Sequence, residues 1–181
     1  MSGRPAVFLD RDGVLNRDAW PTVMDPSELQ MLPGAAEAVA RLTRAGWPVF
    51  VVTNKTAMGW KLLGQAAHEA IMARVLEAID AAGGKVEAVY HCPHTGFACD
   101  CHKPKPGMLL RAAREHGLDL GRSWMVGDTW RDVVAGKAAG CRVVLVGPGS
   151  TRARAARPDA QATDLAAAVQ VIMDGARGRL I

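Results

Sequence analysis

The sequence predicts an α/β protein: a doubly wound, mainly parallel sheet of about five strands with helices on both faces and no large cap domain. Three observations predict it. Short apolar runs alternate with longer segments whose apolar residues recur at helical spacing. Three of those runs end in polar residues: Asp10 and Asp12, Thr53 and Asn54, and Asp128. In a parallel sheet all such ends lie on one edge, where ligands bind.

The elements follow in order. Val7, Phe8 and Leu9 form an apolar run that stops at two carboxylates and Gly13, so they read as a buried strand. Residues 17–33 hold Pro21, Pro26 and Pro33 and are expected to be irregular. A helix over 34–45 places Ala35, Val39 and Leu42 on one face, and Gly46 ends it. Residues 49–52 form the second strand. A long helix over 63–82 carries Ile71, Met72, Val75, Leu76 and Ile79 as a core stripe, and Gly83-Gly84 stops it. A third strand over 86–90 leads into a cysteine-rich loop. Pro106 and Gly107 open a helix to His116, capped by Gly117. Residues 124–126 give a fourth strand, 130–139 a helix, and 142–146 a fifth strand. A loop over 147–158 and an Ala-rich helix over 164–176 complete the chain, with fraying expected beyond. The pattern is Rossmann-like, and one domain spanning 1–181 is expected, with the loop 92–101 inserted.

At 181 residues the chain can bury a substantial core. Its formal net charge is +4, with late basic residues Arg152, Arg154, Arg157, Arg177 and Arg179. No aromatic residues interleave with them for base stacking, so a solvated basic surface is expected rather than a nucleic-acid partner. No apolar stretch is long enough to span a bilayer, and residues 1–5 lack a signal-peptide core. A cytoplasmic monomer without a membrane partner is therefore the expectation.

Asp10 and Asp12 carry the first chemical signal. Carboxylates this close repel unless a cation neutralises them or one holds a proton. They suit a metal-assisted site with a nucleophile and an acid/base. An Asp-rich turn is the plainer alternative, and the convergence of the three strand ends decides against it. The second signal is Cys92, His94, Cys99 and Cys101. Three thiols and one imidazole make a standard tetrahedral zinc set, whereas a Cys99–Cys101 disulfide would close a strained ring and leave Cys92 over. With all four positions filled by protein, the zinc would be structural. Cys141 stands apart as a small core residue.

These residues together resemble the haloacid dehalogenase-like phosphatases, over about 7–146. Within them the chain is most similar to the heptose 1,7-bisphosphate phosphatase and histidinol-phosphatase branch. Leu9-Asp10-Arg11-Asp12-Gly13-Val14-Leu15-Asn16 matches the first motif and Val51-Val52-Thr53-Asn54 the second. Cys-Pro-His, Cys-x-Cys and Lys103-Pro-x-Pro-Gly-Met match the zinc loop and third motif, and Gly127-Asp128-x-x-x-Asp132 the fourth. The resemblance implies Asp10 as nucleophile, forming an aspartyl phosphate, and Asp12 as general acid then base. It implies Mg²⁺ at Asp10, Asp128 and the backbone carbonyl of Asp12. Thr53, the Asn54 backbone N–H and Lys103 would bind the phosphoryl oxygens, Asn16 would shape the substrate entrance, and Asp132 would hold Lys103 or a metal-bound water.

The chain departs from the pattern at Lys55-Thr56-Ala57, where Gln-Ser-Gly is usual, at Met58-Gly59-Trp60, where an arginine follows, and at His102, where arginine precedes the motif lysine. A protonated His102 is expected to assist substrate binding, with affinity falling near pH ~6.5. The implied activity is Mg²⁺-dependent hydrolysis of a small phosphorylated metabolite, most simply a heptose 1,7-bisphosphate. Histidinol phosphate and a nucleic-acid 3′-phosphate are the alternative substrates, and a zinc-stabilised binding module without turnover is the non-enzymatic one.

Overall fold

The computed structural model describes residues 3–20, 22–96 and 98–176. Its strands are β1 (Val7–Leu9), β2 (Val49–Asn54), β3 (Ala88–Cys92), β4 (Trp124–Gly127), β5 (Arg142–Val146) and β6 (Ala160–Ala162). The helices are α1 (Ala35–Arg44), α2 (Thr56–Gly59), α3 (Gln65–Ala81), α4 (Gly107–His116), α5 (Trp130–Ala139), α6 (Thr151–Ala155) and α7 (Leu165–Ala176). The strands form one sheet in the order β3-β2-β1-β4-β5-β6, and every pairing is parallel. The chain builds outward from β1 to β3, then returns to place β4 on the other side of β1. That reversal opens a crevice at the carboxyl end of β1.

Strand side chains alternate between two cores because successive residues face opposite sides of a sheet. Val7, Leu9, Val51 and Val126 pack with Val39 of α1, Val75 and Ile79 of α3 and Ile172 of α7. Phe8, Phe50, Val52 and Met125 pack with Met108 and Leu109 of α4 and Val133 of α5. Phe8 stacks on Phe50 with ring centroids 5.6 Å apart. Burying each such side chain stabilises the fold by roughly 1.5–3 kcal/mol, so the strand that delivers Asp10 is anchored on both faces. Cys141 is buried, as expected.

Three stretches differ from the sequence expectation. A sixth strand, Ala160–Ala162, pairs with β5 through Val144↔Ala160, and α6 forms within the expected loop. Ala-Gln-Ala has no β-branched or aromatic residue, and its alternation spans only three positions, so edge pairing overrides local preference there. The long helix begins at Gln65, after the single turn α2. β3 runs on to Cys92, which pairs with Asn54 and ties the cysteine loop to the end of β2. Pro21, Phe97, Arg177, Arg179 and the expected frayed end lie outside the described residues. Among those described, no helix is long and apolar enough to cross a membrane.

Candidate active site

Asp10 follows β1 directly and prolongs its ladder, its N–H donating to Val126 O at 2.9 Å. The chain then turns tightly: the N–H groups of Leu15 and Asn16 both donate to Arg11 O, at 2.8 and 3.2 Å. Gly13 makes this possible. Its φ is +79°, and a Cβ there would stand 2.2 Å from Asp128 Oδ2, so only glycine lets the first motif close against the fourth. Gly127 serves likewise, since a Cβ would meet Asp132 Cβ at 2.1 Å.

Asp10, Asp12, Thr53, Asn54, Lys103 and Asp128 all line one cleft of about 560 Å³ at this sheet edge. Lys103 Nζ lies 2.9 Å from Asp10 Oδ1 and 2.6 Å from Asp132 Oδ1, and donates to Val52 O at 2.9 Å. Its three protons are thus matched by three oxygens. Burial alone would weaken the ammonium, but Asp10 and Asp132 outweigh it and hold its pKa above the usual lysine value. Asp132 is fully buried. Its other oxygen accepts from Thr129 N at 3.0 Å and Thr129 Oγ1 at 2.6 Å, closing a capping box at the start of α5. Thr129, not Asp128, is therefore the N-cap, which leaves Asp128 to the cleft.

One ammonium cannot neutralise three carboxylates. Burial, then the charges of Asp132 and Asp12, push Asp10 up to about 6 against the pull of Lys103. Burial, then Asp10 and Asp132, push Asp128 up to about 8. Asp128 Oδ1 is buried without a hydrogen-bond partner. Asp10, Asp128 and Asp132 bring carboxylate oxygens within 4.8 Å of one another. An orphaned oxygen in an under-neutralised carboxylate cluster fits a hard divalent cation such as Mg²⁺.

Asp12 sits in the opposite electrostatic setting. Its Oδ1 accepts from Arg11 Nε at 3.0 Å, Arg11 Nη2 at 2.6 Å and Asn16 Nδ2 at 3.0 Å, and its Oδ2 accepts from Lys55 Nζ. Burial would raise its pKa, but Lys55 and Arg11 prevail and hold it at about 2. Asn16 faces Asp12. Its side chain is fully buried, and its amide protons go to Asp12 and to Arg17 O at 2.8 Å. It orients Asp12.

Thr53 and Asn54 end β2. Asn54 Oδ1 accepts from Lys103 N at 3.0 Å, and Asn54 Nδ2 donates to Lys103 O at 3.0 Å. The Asn54 amide side chain therefore fixes the lysine backbone.

The cysteine loop converges as its composition suggests. Cys92, His94, Cys99 and Cys101 bring ligand atoms within 4.8 Å of one another, and all the thiols are free. Sulfur-to-sulfur and sulfur-to-Nδ1 separations run from 3.1 to 3.6 Å. Zinc–sulfur bonds of ~2.3 Å would set tetrahedral neighbours ~3.8 Å apart, so a small expansion of this cluster accommodates the ion. His102 stands between the cleft and the cysteine loop. It lines the cleft, but it is buried with Nδ1 3.6 Å from Cys92 Sγ, and burial holds its pKa below the ordinary histidine value.

Several site residues were not legible as such. Lys55 registers in the sequence only as a departure from a motif, yet its buried ammonium holds Asp12. Trp20, Trp60 and Arg131 also line the cleft. Trp60 registers in the sequence only as a departure from a motif, Arg131 only as an unspecified position inside the fourth motif, and Trp20 gives no signal beyond the scarcity of aromatic residues.

Comparison with known proteins agrees with this geometry. The HAD-hydrolase-like family model matches residues 100–169. The D-glycero-β-D-manno-heptose-1,7-bisphosphate 7-phosphatase of Pseudomonas aeruginosa is 38% identical over 94% of this chain and 98% of its own. The enzyme of that name from Bordetella bronchiseptica is 41% identical over 81% and 82%. The crystal structure of the B. bronchiseptica D,D-heptose 1,7-bisphosphate phosphatase, complexed with magnesium and phosphate, superposes with a TM-score of 0.87 at 36% identity, covering 94% of this chain and 99% of that one. With the motifs assembled at one sheet edge and relatives this similar over nearly the whole length, the chain belongs to the haloacid dehalogenase-like family of heptose-1,7-bisphosphate 7-phosphatases.

Proposed function

We propose that this protein is a Mg²⁺-dependent phosphomonoesterase that removes the C7 phosphate of D-glycero-D-manno-heptose 1,7-bisphosphate. The observation that carries it is the contact of Lys103 with Asp10 beside the under-neutralised Asp128. The names of the relatives supply the substrate.

Both donors to Asp10 engage Oδ1, which leaves Oδ2 to attack phosphorus in line with the C7 oxygen. The Oδ2–P bond forms as the P–O7 bond breaks, and the electron pair leaves on O7. Asp12 delivers a proton there: the negative phosphate competes for Lys55 and raises the proton affinity that Lys55 and Arg11 otherwise depress. In the second half, water attacks phosphorus, its proton returns to Asp12, and Asp10 is released as a carboxylate with inorganic phosphate. Lys103, Thr53 and the Asn54 N–H hold the phosphoryl oxygens as charge shifts among them. Asp10 and Asp128, with the backbone carbonyl of Asp12, would hold Mg²⁺. When bound, it neutralises the carboxylate cluster and the phosphoryl charge. Zinc at Cys92, His94, Cys99 and Cys101 would fix the loop that leads into Lys103.

The proposal takes the protein as a cytoplasmic monomer acting on a small metabolite, with no nucleic-acid or membrane partner. Phosphate release with Mg²⁺ is compared among the heptose bisphosphate, histidinol phosphate and a 3′-phosphorylated oligonucleotide. The highest kcat/KM is expected for the heptose bisphosphate. Preference for either alternative overturns the substrate, and no turnover of any phosphomonoester leaves a zinc-stabilised binding module.

A further inference from the structure

The floor of the cleft accounts for the phosphoryl group being transferred. Its rim is built differently. Trp20 and Trp60 are 97% and 59% exposed, the two most exposed large apolar side chains among the described residues. Both line the cleft that holds Asp10 and Asp12. They come from separate parts of the chain, one from the segment after β1 and one from the end of α2. Exposed tryptophan is unfavourable in water, and two of them at the mouth of one polar cleft mark a surface that a ligand covers.

The cations around the cleft divide in two. Lys55 and Lys103 pair with Asp12, and with Asp10 and Asp132, and serve the phosphoryl group being transferred. Arg131, exposed at the start of α5, also lines the cleft. Its guanidinium lies 5.1 Å from the Trp130 ring centroid, and it forms no ion pair among the described residues. Stacking on an aromatic face steadies a guanidinium while leaving its edge N–H groups to an anion.

We propose that Trp20 and Trp60 grip the ring of the substrate by stacking on its apolar face, and that Arg131 takes the distal phosphate. This deepens the function proposed above and rests on it for the identity of the sugar. The three residues would set specificity without touching the reacting atoms. Their contribution should fall on the part of the substrate that acetyl phosphate lacks.

The test is a ratio: kcat/KM for the heptose 1,7-bisphosphate divided by kcat/KM for acetyl phosphate, which has neither ring nor second phosphate. Trp20→Ala and Trp60→Ala should each lower the ratio about tenfold, mainly through KM, and Trp60→Phe should restore most of it. Arg131→Ala should lower it about 10–100-fold. That loss should disappear when the heptose 7-monophosphate replaces the bisphosphate. Ratios unmoved by the tryptophan variants overturn the stacking rim. An Arg131→Ala loss equal on bisphosphate and monophosphate overturns the distal-phosphate site. If wild type rejects the heptose bisphosphate but hydrolyses another cyclic sugar phosphate, the substrate assignment alone fails. The tryptophan ratio is then read on that sugar phosphate, with the same outcomes. All three side chains are exposed, so loss of folding is not a competing explanation.

Discussion

Asn54 and Lys103 clasp each other through two hydrogen bonds of 3.0 Å, the asparagine amide bonding to both the N–H and the C=O of the lysine. The second motif thereby holds the third in register, and Lys103 Nζ reaches Asp10 from a fixed backbone. Asn54→Ala removes both bonds without touching any charged group. Because small misplacements of a catalytic group are costly, kcat is expected to fall by about 10–100-fold. Thermal unfolding should show a loss of roughly 1–3 kcal/mol. Steady-state kinetics with unchanged kcat in a folded variant would contradict this role.

Lys55 holds Asp12 ionised together with Arg11. In Lys55→Gln one of those cations is gone, so the pKa of Asp12 rises from about 2 toward its ordinary value of 3.8. The base form of Asp12 is then lost at higher pH. The acid limb of the kcat profile should move to higher pH relative to wild type. A limb that stays in place would mean that Lys55 does not govern Asp12.

His68 of α3 is buried, its Nδ1 has no hydrogen-bond partner, and its ring meets His91 edge-on at 4.5 Å. Burial first, then His91, Lys55 and Arg11, lower its pKa to about 4. Below pH 6.5 the unfolded chain therefore binds a proton that the folded chain refuses, and stability falls as pH drops from 6.5 toward 4. His91 is shifted in the same direction. His68→Phe should flatten the decline of Tm between neutral and mildly acidic pH. A decline as steep as in wild type would assign the acid sensitivity elsewhere.

Lys103 lies two residues beyond Cys101, and Cys92 belongs to the strand that pairs with Asn54. Ordering of the zinc loop and placement of Lys103 should therefore be coupled. The purified protein is expected to carry zinc, by elemental analysis, and to lose it in Cys99→Ser. Stripping zinc with a chelator and restoring Mg²⁺ should leave kcat depressed and Tm lowered. Full activity in zinc-free protein would uncouple the loop from the lysine.

The sheet, its two-faced core and the convergence of Asp10, Thr53 and Asp128 were legible because strand ends are abrupt: apolar residues stop and polar ones begin. The cysteine cluster was legible from residue type and spacing. Other features depend on contacts between distant segments, which periodicity does not encode. Ala160–Ala162 is a strand only because β5 offers it an edge. Lys55 acts through Asp12, and Asn16 turns inward to the same carboxylate. His102 was read from its place beside Lys103, but its surroundings are set by Cys92, on another element.

The central claim is that Asp10 becomes covalently phosphorylated. The direct measurement is rapid acid quenching of enzyme mixed with substrate and Mg²⁺, followed by mass analysis of the peptide containing Asp10. A phosphoryl group on Asp10 during turnover, absent in an inactive Asp10→Asn variant, is the predicted result. Turnover with no adduct on that peptide, and undiminished activity in Asp10→Asn, would contradict it.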